Sequence, residues 1–258
     1  MTRLFAALLA SASLASPALA GTAVGLAGDR TLVLIDSETA AVTGMVEVEG
    51  VTRLLGIDWR PGTGQLIGVT DGQAVVAIDP ATGATEMLSQ MDRMLPVADM
   101  PVVVDVNPAA DRLRFMSGLV NHRVNMDTGE VIVDGDLHFD AADTNAATGP
   151  MVVGTAYTNA YGKPESTAMY NIDAGLGALI RQTAPNDGTL ATIGSLGVMT
   201  DGPIAFDVAT NAAGENTAWL SAGGMLHQVD LESGMVSGSW PIAGAEVEIR
   251  DLTVMPAM

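Results

Sequence analysis

An offset of 43 residues recurs in this chain and limits its folds more than any other feature. Val24-Gly25-Leu26-Ala27-Gly28-Asp29, then Leu34-Ile35-Asp36, matches Ile67-Gly68-Val69-Thr70-Asp71-Gly72, then Ala77-Ile78-Asp79. Both copies read as a strand, a Gly/Asp turn, a second strand and an Asp-led turn into a third. Asp79-Pro80-Ala81-Thr82-Gly83, Asp127-Thr128-Gly129 and Asp230-Leu231-Glu232-Ser233-Gly234 repeat that last turn. For the fourth copy, Asp187 is preferred to Asn171-Ile172-Asp173. It lies 43 residues before Asp230 and follows the strand-like Ala178-Leu179-Ile180-Arg181. In such turns the Asp side chain accepts backbone N–H bonds two residues on, and Gly supplies the positive φ. Calcium ligation is the functional alternative, but one carboxylate per turn falls short of the six to eight oxygens calcium takes.

A second set of segments precedes these turns. Gly56-Ile57-Asp58-Trp59-Arg60-Pro61 is followed by Leu66, and Val103-Val104-Asp105-Val106-Asn107-Pro108 by Leu113, each eight residues after the aspartate. Ala205-Phe206-Asp207 fits the template with a longer hairpin over Asn211 to Glu215. Each unit therefore carries about four strands, the anatomy of a propeller blade of ~40–45 residues. The segment Glu248 to Pro256 aligns by its proline with the innermost-strand segment ending at Pro61 and then stops. The strands it lacks are those that begin after residue 20. A blade shared by both ends removes the open edges that an unclosed sheet leaves. The expected fold class is thus all-β, a five-bladed β-propeller. Six blades fit if the long interval from Asp127 to Asp187 hides a weak one. A β-sandwich also has short, regularly spaced strands, but it predicts neither aligned copies nor matching ends. Thr85 to Leu95 is the one stretch that suits a helix, as an excursion between blades.

Residues 1–20 read as a cleavable signal peptide. Arg3 precedes an apolar stretch from Leu4 to Leu14, and Ser16-Pro17-Ala18-Leu19-Ala20 ends in a small-x-small pattern, which places the cut after Ala20. The apolar run is short and broken by Ser11, Ser13, Ser16 and Pro17, whereas a membrane span needs ~20 apolar residues. An exported protein is therefore expected, periplasmic or extracellular, not inserted in a membrane, with residues 21–258 as one domain. There is no cysteine, so neither a lipid anchor nor disulfides support it. A net charge of −19, with Lys163 the only lysine, repels nucleic acid and anionic headgroups. That charge suits either the attraction of cations or, as the preferred reading, a soluble, unassociated monomer; the expected partner is a small ligand or a protein. Aromatic residues are only 4% of a chain that is 48% hydrophobic, which predicts thin aliphatic layers rather than an aromatic sugar-binding face.

Val104-Asp105-Val106-Asn107-Pro108 through Asp111-Arg112-Leu113-Arg114, then Asn121, Arg123-Val124-Asn125 and Asp127-Thr128-Gly129, resemble the bacterial exported family known as domain of unknown function 4394. Gly56 to Pro61, Ala156-Tyr157-Thr158-Asn159 and Pro185-Asn186-Asp187-Gly188-Thr189-Leu190 look like further landmarks of that family, in the same order. His122-Arg123 departs from it, beside positions where small or polar residues are expected. The resemblance covers nearly all of 21–258 and implies a propeller-like secreted domain with no assigned activity.

Candidate chemistry concentrates in the third repeat unit. Asp105, Asn107, Arg112, Arg114, Asn121, Arg123 and Asn125 fall on three adjacent antiparallel strands, where period-two spacing puts Arg112 with Arg114, and Asn121 with Arg123 and Asn125. Guanidinium forks suit carboxylate or phosphate, so these residues form a candidate site for an acidic ligand. The plainer account is that the arginines pair with Asp105, Asp111 and neighbouring acids to tie blades together. Asp58, Asp105 and Asp207 recur at equivalent inner-strand positions. They make either a ring of carboxylates able to hold a metal or a repeated blade-to-blade hydrogen bond. No cofactor is expected from a recognised motif, and a divalent metal is the one left open. His122, His138 and His227 form no close ligand pair. There is no G-x-S-x-G, and Gly62-Thr63-Gly64 reads as a hairpin turn rather than a phosphate loop. Met87, Met91, Met94 and Met100 raise copper(I), although methionine more often fills gaps in cores. The leading expectation is a non-enzymatic propeller that binds a ligand or partner at one end of the ring. The alternative is a metal-assisted hydrolase or lactonase using Asp58, Asp105, Asp207 and a histidine at the channel mouth.

Overall fold

The computed structural model describes residues 21–97, 101–198, 201–244 and 246–256; the expected leader and Met100 lie outside them. The described residues form strands and turns without a helix, so no helix among them is long and apolar enough to cross a membrane.

Five small sheets make up the chain. The first, from the inside outward, is β21 (Ile249–Met255), β1 (Thr22–Ala27), β2 (Thr31–Asp36) and β3 (Val42–Glu47). The second is β4 (Leu54–Arg60), β5 (Gln65–Thr70), β6 (Ala74–Ile78) and β7 (Thr85–Gln90), and the third β8 (Val102–Asn107), β9 (Arg112–Ser117), β10 (Val120–Val124) and β11 (Val131–Val133). The fourth comprises β13 (Val152–Tyr157), β14 (Met169–Asp173), β15 (Ala178–Ala184) and β16 (Thr189–Ser195), and β12 (His138–Phe139) adds in parallel to β16. The fifth holds β17 (Ile204–Thr210), β18 (Asn216–Ala222), β19 (Met225–Val229) and β20 (Val236–Pro241). The innermost strands pack in sequence, β21 on β4, β4 on β8, β8 on β13, β13 on β17 and β17 back on β21, which closes a five-bladed propeller. Both ends of the chain share the first blade, with Val24 opposite Thr253 and Thr22 opposite Met255.

A blade in a ring has a neighbour on each face, so its inner strands must be apolar on both sides. β1 and β5 are accordingly buried almost continuously, whereas the outer strand β3 alternates between half-buried and exposed residues. The apolar side chains collect in five clusters, one at each seam. Val24, Leu26, Leu54 and Ile57 fill the seam between the first and second blades, for example, and Val103, Met116, Tyr157 and Ile180 that between the third and fourth. Each fully buried Val, Leu or Ile contributes roughly 1.5–3 kcal/mol, and no disulfide is needed.

Three expectations require correction. Thr85 to Leu95 does not form a helix, because Thr85–Gln90 is the outer strand β7, paired with β6 and exposed at Glu86, Met87 and Gln90. The long interval after Asp127 hides no sixth blade; it is an excursion whose residues His138–Phe139 extend the fourth sheet. In the third blade the turn residue equivalent to Asp36, Asp79 and Asp230 is Asn125 rather than Asp127. Asn125 N bonds Glu130 O and Gly129 N bonds Asn125 O, as Asp79 does with Ala84 and Gly83. Asn125 Oδ1 then accepts from Asp127 N at 3.1 Å. Asparagine serves because it offers the same acceptor without a charge, and in the fourth blade Ala184 stands at this position with no side-chain acceptor at all.

The turn glycine has a second task. A Cβ on Gly129, whose φ is +76°, would lie 1.9 Å from Gln90 O of the preceding blade. This close approach lets Gly129 O accept from Asp92 N at 3.0 Å, and Gly83 and Gly188 make the same bond to Glu49 N and His138 N. The glycine of the repeated turn is thus an outer stitch to the segment that precedes its blade.

Candidate functional site

Five equivalent inner-strand positions surround the axis: Thr253, Asp58, Asp105, Ala156 and Asp207, one from each blade. Four of them accept a bond from the following blade. Thr253 Oγ1 accepts from Trp59 N at 3.1 Å, and Asp58 Oδ2 from Val106 N at 2.6 Å. Asp105 Oδ1 accepts from Tyr157 N at 3.1 Å, and Asp207 Oδ2 from Val254 N at 2.5 Å. Ala156 has no acceptor, and Val208 N is taken instead by Asp207 Oδ1 at 2.6 Å. The blade-to-blade bond and the axial carboxylate cluster are therefore made by the same side chains. One oxygen from each of Asp58, Asp105 and Asp207 lies within 4.8 Å of the other two. They border a cavity of about 20 Å³, enough for one water-sized guest.

Burial and mutual repulsion dominate the electrostatics here. Burial, then the charge of Asp207, holds Asp58 well above the ordinary carboxylate range; burial, then Asp58 and Asp207, does the same to Asp105. Burial pushes Asp207 up to about 6. Asp251 belongs to this group although the sequence reading did not single it out. It keeps a partial opening to solvent, yet burial pushes it up to about 7 while its Oδ2 accepts from Ile57 N at 2.7 Å. Only glycine permits that approach, since a Cβ on Gly56 would sit 2.8 Å from the same oxygen. A period-two step from Thr253 was the available signal. Thr253 Oγ1 also donates to Asp58 Oδ1 at 2.8 Å, whereas Asp105 Oδ2 accepts no bond among the described residues. The metal candidates converge, and the cluster contains no histidine.

The other candidates divide between two settings. Asp105, Arg114 and Arg123 lie directly opposite one another on β8, β9 and β10, and Asn107 opposite Arg112. Arg114 is buried and committed internally. It bonds Asn121 Oδ1 and Asp134 Oδ2, each at 2.7 Å, and reaches Tyr157 Oη at 3.3 Å and Asn186 Oδ1 at 3.4 Å. Arg123 clamps the same Asp134 at 2.6 and 2.9 Å. Asn121 ties the third blade to the fourth through Pro185 O, Asn107 Oδ1 caps the turn at Ala109 and Ala110, and Asn125 is the turn residue described above. Arg112 donates to Asp111 O at 2.9 Å and makes no ion pair among the described residues. Asp111 belongs instead to Arg60, which joins the second blade to the third by holding Asp111 at 2.6 Å and Asp127 at 2.8 Å. These bonds keep both carboxyls below the ordinary range. The partners of the tying arginines are thus Asp134, Asp111 and Asp127 rather than Asp105.

Arg112, Arg114 and Arg123 border a cavity of about 480 Å³ at the seam between the third and fourth blades, with Asn107, Tyr157 and Asn186. Tyr157 borders the axial cavity as well. A larger cavity, about 820 Å³, lies at the seam of the first two blades. Trp59 walls it at the inner-strand position equivalent to Tyr157, and Asp36, Glu38, Asp79 and Glu86 rim it. All three open where the innermost strands finish. At the other end, Asp201, Ser221, Glu246 and Ile249 border a cavity of about 580 Å³. The histidines lie apart, on β10, β12 and β19. Met91 is in the core, whereas Met87 and Met94 face solvent.

The family model described as "Domain of unknown function (DUF4394)" matches residues 31–253. Nothing among the curated proteins matches. Among solved structures, the chain is similar to a structural-genomics protein of unknown function from Bacteroides thetaiotaomicron VPI-5482, with 14% identity and a TM-score of 0.55 over 95% of this chain and 69% of that one. It also matches a protein of unknown function from Bacteroides caccae, with 13% identity and a TM-score of 0.44 over 89% and 77% of the two chains. An auxiliary nutrient binding protein from Bacteroides ovatus ATCC 8483 matches with 12% identity and a TM-score of 0.47 over 76% and 55%.

Proposed function

Since the chain belongs to the family described as domain of unknown function 4394, which brings no activity with it, we propose from its geometry that it is an exported ligand-binding module. The ligand sits at the end of the ring where the innermost strands finish. One observation carries this reading: Tyr157 is a wall common to the axial cavity and the arginine-lined cavity, so polar groups from all five blades gather around two adjoining cavities at one end of the ring. A concave site with a few convergent polar groups is the usual form of a small-molecule pocket. The test is a thermal-shift screen of sugar acids, phosphates, polyols and amines, followed by titration of each hit into variants of both ends. Tyr157→Phe and Arg112→Ala should weaken binding, and Glu246→Ala should not. Hits that respond only to Glu246→Ala would place the working end opposite.

A second reading has its own observation. Three buried carboxylates around a cavity for one water-sized guest suit a hard divalent cation, which takes oxygen ligands. The cation would replace protons that burial, with mutual repulsion at Asp58 and Asp105, otherwise favours there. Its task would be to hold the blades around the axis, since the three carboxylates that would ligate it also make blade-to-blade bonds. Elemental analysis of protein purified without added metal tests it. Stoichiometric metal, with a melting temperature that falls in chelator, supports a cation centre, and its absence together with indifference to chelator removes it.

A further inference from the structure

We propose that the 480 Å³ cavity between the third and fourth blades binds a small organic anion through its carboxylate or phosphate group, with Arg112 and Arg123 as the recognising forks. This rests on the reading that the ligand enters where the innermost strands finish. Three of the residues bordering the cavity are arginines, in a chain with only eleven basic residues and a net charge of −19. Acids stand nearby, but the pairing accounts for most of them. Asp134 is buried and bridges Arg114 and Arg123; Asp111 and Asp127 are both held by Arg60. Asp187, on the cavity rim, is exposed.

The guanidinium left over is Arg112. Its described hydrogen bond goes to the neighbouring carbonyl of Asp111, and the charges of Asp111 and Asp127 act on it from beyond ion-pair distance. An entering anion gives Arg112 the partner it lacks and meets Arg123, which is about 29% exposed and already oriented by its two bonds to Asp134. Planar forks favour a bidentate oxyanion. Asn107 and Asn186 supply neutral polar groups for the rest of the ligand, and a cavity of 480 Å³ accommodates a molecule of small-metabolite size. Arg114 serves differently: it is 2% exposed, is braced within the third blade by Asn121 and Asp134, and reaches the fourth blade at Tyr157 and Asn186, which fixes one wall of the cavity.

Isothermal titration with citrate, succinate, inorganic phosphate and glycerol at two salt concentrations tests the assignment on the whole chain. At least one anion should bind, more weakly at higher salt, and Arg112→Ala should lower its affinity tenfold or more without moving the melting temperature. Arg112→Lys should recover only part of the loss, because an ammonium cannot form the fork. A preference for citrate and succinate over phosphate identifies the carboxylate source, and the reverse identifies phosphate. If glycerol or another neutral compound binds and Tyr157→Phe weakens it while Arg112→Ala does not, the anion assignment falls and the working end stands. If no probe in either the titration or the screen is affected by any residue of this end, both fall.

Discussion

Replacing Asp105 by asparagine should stabilise the protein above neutral pH, an unusual outcome for a buried polar residue. Asp105 has one oxygen bonded to Tyr157 N, and the other accepts no bond among the described residues. Asparagine keeps the first bond through Oδ1 and can turn its amide towards Asp58 and Asp207. With oxygens within 4.8 Å, two ionised carboxylates repel by about 3 kcal/mol at an effective dielectric constant of about 20. Burial, which the substitution leaves in place, lifts Asp207 from 3.8 to about 6, a cost of similar order, about 3 kcal/mol by linkage. A carboxyl raised in the folded state binds its proton more tightly there than in the unfolded chain. Its stabilising contribution is therefore complete below the unfolded value and lost as pH rises through the folded one. For Asp207 that window runs from 3.8 to about 6, and for Asp251 from 3.8 to about 7. The buried His122 and His227, held below 6.5 by burial, act in the opposite sense. Both proteins contain them, however, so the difference between the two isolates the axial carboxylates. Urea unfolding in chelator should show Asp105→Asn more stable than the parent by about 2 kcal/mol at pH 8, or roughly 4–8 °C in melting temperature. At pH 4 the two should nearly coincide. Parallel pH curves, or a variant less stable by the same amount at both pH values, would refute the reasoning.

Other perturbations separate the ties between blades. Arg114→Ala leaves the buried Asp134 short of one of its two arginines and should cost about 3–5 kcal/mol in urea unfolding. Arg181→Ala, which removes only an exposed contact with the Tyr170 ring, should cost less than about 1 kcal/mol; equal losses would contradict the assigned roles. Gly129→Ala should lower stability by more than about 2 kcal/mol, because it combines a positive φ with collision against Gln90 O. Gly162→Ala, at a similar φ but in open space, should cost about 1 kcal/mol, and similar melting temperatures for the two would remove the outer stitch. Arg60→Ala should flatten the loss of stability in acid. The lowered carboxyls of Asp111 and Asp127 stabilise above their unfolded values and lose that contribution as pH falls through the folded ones. An unchanged acid limb in a pH series would sink that expectation.

The ring was legible in the sequence because its chemistry recurs. Each blade needs a hairpin at the same place, so Asp36 and Asp79 appear at one offset, and the choice of Asp187 over Asp173 finds the turn between β15 and β16, although Ala184 holds the position equivalent to Asp36 there. The Asp127 marker misled by two positions because asparagine caps that turn as well as aspartate does. Thr85 to Leu95 misled because an outer strand exposed at Glu86, Met87 and Gln90 carries no continuous apolar run. At the axis, the three recurring aspartates announced a cluster. Their partners did not, since an inner position can be filled by Thr253 or left as Ala156 without disturbing the strand. The arginine cavity was half legible. Period-two spacing put the arginines on shared faces, but which of them is spent on Asp134 depends on a loop between β11 and β12 that no local pattern places.

Hydrogen exchange of the protein with and without its best-binding anion locates the working end directly. The account predicts slower exchange in the amides of residues 105–114, 157–160 and 184–188, around the arginine cavity and the axial opening. Protection confined to residues 221–224, 242–244 and 246–249, at the opposite end, would contradict it.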